Sequence, residues 1–95
     1  MAAHNALMHG ETDFVAVVIE DISSGAEVKA VTLDGVQRHT LNATNDIPLG
    51  HKIALQDIAA GEQVIKYGRS IGKATKAIAK GEHVHTQNIK SERWA

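Results

Sequence analysis

Two histidines one residue apart, His83 and His85, follow a glycine in the stretch 81–90, GEHVHTQNIK. In a strand, residues two apart share a face about 7 Å from one another, so the two imidazoles point one way and Val84 points the other. Two neutral imidazoles can ligate a divalent metal ion, and protonated ones can bind a carboxylate. A catalytic metal ion normally needs three protein ligands, and local spacing identifies no third one. A plain solvated strand face is therefore the alternative.

Two further segments bring polar groups next to glycines. His51 follows one glycine, at a point where backbone N–H groups can meet an anion. Lys66, Tyr67 and Arg69 flank another glycine, and lysine and arginine both pair with carboxylates. An ordinary polar turn is the alternative for the first segment, and a solvated strand end is the alternative for the second. The sequence contains no Ser/His/Asp order, no phosphate-binding glycine loop and no paired-acid motif.

One repeated pattern, Ile-x-x-Gly-x-x-Val/Ile, marks the elements that must position these groups. It begins at Ile22, Ile47, Ile58 and Ile78. In the first three copies an aspartate precedes the isoleucine. Its carboxylate can accept hydrogen bonds from the backbone N–H groups at the start of a single helical turn, and the glycine can end that turn. Each copy is interpreted as a tight corner that leads into a strand. The irregular spacing of the copies excludes a solenoid, which needs a fixed period.

The short apolar segments between the corners predict strands. They are residues 14–19, 28–33, 36–41, 52–55, 63–66 and the neighbours of residue 84, with a two-residue hairpin turn at 34–35. Residues 70–80 fit a helix or a strand, and their glycines favour the extended path. The pattern predicts an all-β fold, a small folded barrel or clip with one-turn helical corners. Residues 1–12 are predicted to be a flexible leader before one domain, residues 13–95.

The composition excludes several classes of function. A net charge of −1 with both signs interspersed leaves no basic stripe for nucleic acid, and one Phe, one Tyr and one Trp are too few for base stacking. The absence of cysteine excludes disulfides and thiolate ligands on this chain and favours a cytoplasmic setting. No apolar run reaches the roughly 18 residues of a spanning helix, and the N-terminus lacks a signal-peptide pattern, so no membrane partner is expected.

The ordered set GHK (50–52), IKYG (65–68) and HVHTQN (83–88) resembles the N-terminal domain of the altronate and galactarate dehydratase family, within the SAF or β-clip superfamily. The resemblance covers residues 15–94 and is greatest to freestanding small subunits, such as that of sulfolactate sulfo-lyase. It implies elimination from a 2-hydroxy acid, in which a base removes a proton, iron(II) polarises the substrate's oxygens, and water or sulfite leaves. It also implies a separate large catalytic subunit that carries the base and the metal, over which this small domain closes.

Five positions match the family's motifs and are implied to face the shared site: His51, Lys66, His83, His85 and Asn88. The resemblance implies catalytic or metal contacts for His83 and His85, and substrate or metal contacts for His51 and Lys66. Asn88 would bind substrate as an orienting hydrogen-bond group, and Tyr67 and Arg69 are weaker candidates. Many relatives have a histidine where Gln87 stands, which favours a shared metal site over one contained in this strand.

Two other functions stay open. The chain could be a non-catalytic ligand-binding or interaction module, as β-clip domains are in antifreeze-type and sialic-acid-synthase-like proteins. It could also serve only to dock the partner subunit, in which case its histidines would have no function. The His-x-His pair together with IKYG favours the enzyme. The substrate, the leaving group and the formation of a homo-oligomer are left open.

Overall fold

The computed structural model describes residues 4–10, 12–35, 38–66 and 68–90, and these residues form nine short strands in two sheets. The strands are β1 (Ala6–Met8), β2 (Val15–Val18), β3 (Glu27–Thr32), β4 (Arg38–Asn42), β5 (Lys52–Ala54), β6 (Gln63–Lys66), β7 (Arg69–Ala74), β8 (His83–Val84) and β9 (Ile89–Lys90). One sheet has the order β4-β3-β1-β2-β5-β8, and the other has the order β6-β7-β9. The prediction of an all-β fold is confirmed. No helix in the described part of the chain is long and apolar enough to cross a membrane.

Two apolar cores lie on opposite faces of β2 and β5. Val15 and Ala54 belong to the core shared with the small sheet, whereas the adjacent residues Ala16 and Ile53 belong to the other core. Side chains alternate along a strand, so a strand between two cores must be apolar on both faces. This explains the uninterrupted apolar run of residues 14–19 that predicted β2.

The four predicted corners are present, but they are β-turns and not helical turns. Their glycines have φ between 83° and 90°: Gly25, Gly50, Gly61 and Gly81. In each corner the residue after the glycine donates its N–H to the carbonyl three residues earlier, as Glu82 does to Ala79 at 2.9 Å. Positive φ at the third residue is the geometry of a type II turn, which requires glycine there.

The aspartates before the corner isoleucines bind across to another corner instead of capping their own. Each accepts a backbone N–H at 2.8 Å: Asp21 from Leu49, Asp46 from Ser24, and Asp57 from Lys80. The isoleucines form antiparallel bridges in the same pairs, Ile22 with Ile47 and Ile58 with Ile78. The repeated pattern therefore builds two pairs of hydrogen-bonded corners, with one pair in each core.

Residues 6–8 correct the prediction of a flexible leader. They form β1, which pairs in parallel with β3 and antiparallel with β2 in the middle of the six-stranded sheet. Ala6 and Met8 are fully buried. The domain therefore includes β1. Residues 1–3 and 11 lie outside the described residues.

The predicted hairpin and the extended path of residues 70–80 are also found. Strands β3 and β4 pair with Val31 opposite Arg38, which centres the turn on Asp34–Gly35, although residues 36 and 37 lie outside the described residues. Strand β7 occupies the start of the ambiguous segment and pairs with both β6 and β9.

Candidate metal centre

Three histidines from two neighbouring strands form one stacked cluster. Strands β5 and β8 are antiparallel with Ile53 opposite His83, so His51, just before β5, lies across from His85, just after β8. The ring centroids of His51 and His85 are 4.0 Å apart, and those of His51 and His83 are 5.0 Å apart. All three side chains are half-buried, whereas Val84 is fully buried. The predicted alternation of residues 83–85 is confirmed, and His51 is the third member that local spacing could not identify.

The hydrogen bonds of His83 are those of a neutral imidazole. The amide of Gln87 donates to Nδ1 of His83 at 3.1 Å, which places the hydrogen of this ring on Nε2. That nitrogen lies 2.8 Å from Nδ1 of His51, which accepts its hydrogen. Burial lowers the pKa of His83, the nearby His51 and His85 rings lower it further, and Glu82 acts in the opposite sense. His83 is therefore held in the neutral form that can ligate a metal ion.

Two asparagines fix the backbone that carries His83 and His85. Asn88 is fully buried; its Oδ1 accepts the His85 N–H at 3.0 Å, and its Nδ2 donates to the His83 carbonyl at 2.7 Å. Oδ1 of Asn45 accepts the His83 N–H at 3.0 Å. Asn88 thus orients the histidine segment through these hydrogen bonds, and its contact with substrate stays a prediction. Sequence reasoning missed Asn45, because only the tertiary fold brings it within reach of residue 83.

The donor set suits a borderline transition-metal ion. The ligand nitrogens of His51, His83 and His85 all lie within 4.8 Å of one another. With metal–nitrogen bonds of about 2.1 Å, two nitrogens on one ion are about 3.0–3.4 Å apart, so the widest pair would close by roughly 1–2 Å through imidazole rotation. Imidazole suits iron, zinc, nickel and copper, whereas magnesium and calcium prefer oxygen ligands. The residues present therefore fit an iron(II) ion that takes its further ligands from elsewhere.

The amide of Gln87 must turn when an ion binds His83 through Nε2. In that state the ring hydrogen of His83 lies on Nδ1 and needs an acceptor. In the present structure the Gln87 amide instead donates a hydrogen to Nδ1. A carboxylate at position 87 would accept this hydrogen and raise the basicity of Nε2. We therefore expect Gln87→Glu to tighten metal binding by about tenfold, measured as the Kd for zinc or cobalt(II) in competition with a chelating dye.

The matched control is Gln56→Glu, which adds the same charge at an exposed glutamine in the bend after β5. An equal gain in both variants, or no gain in Gln87→Glu, would show that the side chain at position 87 does not act through His83.

Lys66 belongs to a second polar cluster. Its Nζ contacts Nδ1 of His9, and the His9 backbone N–H donates to Oδ2 of the buried Asp13 at 2.8 Å. The structure therefore brings His51, His83, His85 and Asn88 together and places Lys66 with two residues from the segment before β2. Arg69 is exposed and pairs with Lys66 across β6 and β7. Tyr67 lies outside the described residues.

Comparisons with known proteins agree with the resemblance. Residues 4–92 match the altronate/galactarate dehydratase SAF domain. The chain is 37% identical over 89 residues to the (2R)-sulfolactate sulfo-lyase subunit alpha of Chromohalobacter salexigens, covering 93% of this chain and 95% of that protein. The subunit alpha of Paracoccus pantotrophus is 52% identical over 54 residues, or 57% of this chain and 81% of that protein. Altronate dehydratase of Escherichia coli is 44% identical over 79 residues, which is 83% of this chain but 15% of that protein.

Proposed function

Because the chain belongs to the altronate/galactarate dehydratase SAF domain family, we propose that it is the small subunit of a metal-dependent lyase that acts on a 2-hydroxy acid. The observation that carries the proposal is the three-histidine cluster, a donor set for one metal ion at the surface of a small domain. Its relatives include both the (2R)-sulfolactate sulfo-lyase subunit alpha and altronate dehydratase, so the proposed leaving group is sulfite or water.

The ion proposed for this site is iron(II), and a bound iron(II) would supply a Lewis acid that polarises the oxygens of the substrate. His51, His83 and His85 would hold the ion as neutral ligands. Asn45 and Asn88 keep the backbone of residues 83–85 in place, so the ligand nitrogens start close to their bound positions. The role of this chain is thus to present three prearranged imidazoles at the reacting centre.

The proposed reaction is a β-elimination. The C–H bond next to the carboxylate breaks, a double bond forms to the neighbouring carbon, and the leaving group departs from that carbon with its bonding electrons. A base must accept the proton, and the small subunit leaves this task to its partner. With sulfolactate the leaving group is sulfite, and the resulting enol takes up a proton on carbon to become a 2-oxo acid.

Assembly with a large subunit is part of the proposal. Two of the relatives carry the name subunit alpha, which places them in complexes of more than one subunit. Next to His51, the side chains of Leu49 and Ile19 are 61% and 41% exposed. The Val18 N–H donates to the His51 carbonyl at 2.9 Å, and the Val18 carbonyl accepts the Gly50 N–H, which brings these two apolar residues to one edge. An apolar edge beside an open metal centre suits docking of the subunit that completes it.

The test is reconstitution with the large subunit under anaerobic conditions with iron(II). We expect the pair to release sulfite from sulfolactate, or to dehydrate altronate or galactarate, and neither subunit alone to do so. Sulfite release and 2-oxo acid formation are the two readouts. Ligand binding by the isolated chain without turnover by the pair would instead support a non-catalytic module. Full turnover by a pair carrying both His83→Ala and His85→Ala would support a role in assembly alone.

A further inference from the structure

The buried amide of Asn88 has a partner for each of its polar groups. Its Oδ1 accepts the His85 N–H at 3.0 Å. Its Nδ2 donates to the His83 carbonyl at 2.7 Å and to Oε2 of Glu82 at 3.4 Å. An amide has two hydrogens on nitrogen, and the backbone takes only one of them here. Glu82 accepts the second, which would otherwise be a fully buried donor without an acceptor.

Glu82 holds this position because the fold fixes both its backbone and its other oxygen. Its N–H donates to the Ala79 carbonyl at 2.9 Å, and its carbonyl accepts the Ala54 N–H from β5 at 3.0 Å. Oε1 accepts the Ala79 N–H at 3.0 Å in the corner of Gly81, and the side chain is half-buried. One carboxylate therefore bonds the corner and Asn88 at the same time and uses both of its acceptor oxygens.

Glu62 occupies the equivalent position in the paired corner and shows which contact is particular to Glu82. It too follows the corner glycine, and its Oε1 accepts the Ala59 N–H at 2.9 Å. Among the described residues, Oε2 of this exposed side chain has no hydrogen-bond partner. A corner thus needs one carboxylate oxygen, and the bond to Asn88 is an addition that the turn does not require.

We infer that Glu82 is a positioning residue for the candidate metal centre, which acts by fixing the amide of Asn88. That amide in turn holds the backbone of His83 and His85. The inference deepens the proposed function and rests on it for the role of the three rings. Because one amide bonds both histidines, a turn of that amide moves both ligands together. Groups behind the ligands of a metal ion set its affinity in this way.

The experiment must separate the charge of Glu82 from its position. Burial lowers the pKa of His83, and the carboxylate of Glu82 acts in the opposite sense, so loss of its charge alone would change the basicity of that ring. Glu82→Gln removes the charge and presents an NH₂ group to one of the two N–H donors. Glu82→Asp keeps the charge but is one CH₂ shorter, and the bond to Asn88 is already 3.4 Å long. Position is lost in both variants, and charge in only one of them.

The first readout is the NMR spectrum of the side-chain and backbone amides of the isolated, metal-free chain. In the wild type, both Nδ2 hydrogens of Asn88 should give separate signals that exchange slowly with water. In both Glu82 variants one of them should exchange at least about tenfold faster, as expected when a hydrogen bond to a charged group is lost, and the His85 N–H should shift. The matched controls, Glu62→Gln and Glu62→Asp, alter the same corner contact away from Asn88 and should leave these signals unchanged.

The second readout is metal affinity, with urea denaturation to confirm that each variant is folded. The Kd for zinc should rise at least about tenfold in both Glu82 variants and stay unchanged in both Glu62 variants. Loss of affinity in Glu82→Gln alone would assign the effect to charge and overturn the inference. Fast exchange of either Asn88 hydrogen in the wild type, or unchanged Asn88 signals in Glu82→Asp, would overturn it as well. Because neither readout needs the large subunit or a substrate, a reconstituted pair without turnover would overturn the proposed function alone.

Discussion

His51→Ala is expected to lose divalent-metal binding at concentrations that saturate the wild-type chain. The ring of His51 stands between the other two, whose centroids are 5.9 Å apart. Without it only two imidazoles remain, fewer than the three protein ligands typical of catalytic sites. The loss of affinity should exceed the roughly 10–100-fold that removal of an outer-shell partner causes. Anaerobic titration calorimetry with iron(II), repeated with zinc, measures it.

The control for this prediction is His39→Ala, which removes a half-buried histidine of β4 outside the cluster. Circular dichroism should show the same strand content in both variants. In the reconstituted pair, His51→Ala should lower turnover together with metal content, whereas His39→Ala should change neither. Wild-type affinity in His51→Ala would mean that the metal is held elsewhere and that the stacked rings have another role.

Local residues specify each corner, whereas the pairing of the corners depends on residues far apart in the chain. The corners were predictable, because a glycine with positive φ and an isoleucine three residues before it are local requirements of one turn. Their pairing was not, because the bridge between Ile22 and Ile47 and the bond from Leu49 to Asp21 join residues far apart in the chain. An aspartate before a turn looks the same whether it binds its own corner or another one.

Strand β1 shows the same limit in the fold itself. Three residues, Ala-Leu-Met, are too short to display a period of two, and none of them is β-branched. Their strand conformation comes from β2 and β3 on either side, which supply both sets of hydrogen-bond partners. A segment of this kind is extended because its neighbours require it, and its own residues carry no signal of this.

For the site, the pair of residues 83 and 85 was predictable from alternation, and the third ligand was not. His51 lies 32 residues before His83, and only the register of β5 and β8 brings the two rings together. The resemblance to the family named His51 and Lys66 as site residues, but it did not separate the metal centre from the cluster of Lys66. Sequence reasoning also assigned His9 to a leader, and its contact with Lys66 became visible only with β1 in place.

Gly81→Ala is expected to be the most destabilising of the corner substitutions. With φ of +90°, any residue with a Cβ is strained there by about 1–2 kcal/mol. In addition, a Cβ at this position would lie 2.2 Å from the backbone oxygen of Asn42, which cannot move away as a flexible side chain would. Overpacking of this kind costs about 1–3 kcal/mol more. The total of about 2–5 kcal/mol is a large part of the 5–15 kcal/mol that stabilises a typical domain.

The matched control is Gly25→Ala, because that corner has nearly the same φ of +88° and no atom within 4 Å of the added Cβ. It should lose only about 1–2 kcal/mol, so urea denaturation of the two variants isolates the clash.

The clash at Gly81 also reaches the candidate metal centre. The Gly81 carbonyl accepts the Thr44 N–H at 2.9 Å, and the next residue, Asn45, binds the His83 N–H. Metal affinity, measured where both variants are folded, should therefore fall in Gly81→Ala and stay unchanged in Gly25→Ala. Equal stability losses in the two variants would show that the backbone near Asn42 yields, and that this corner does not hold the histidine strand in position.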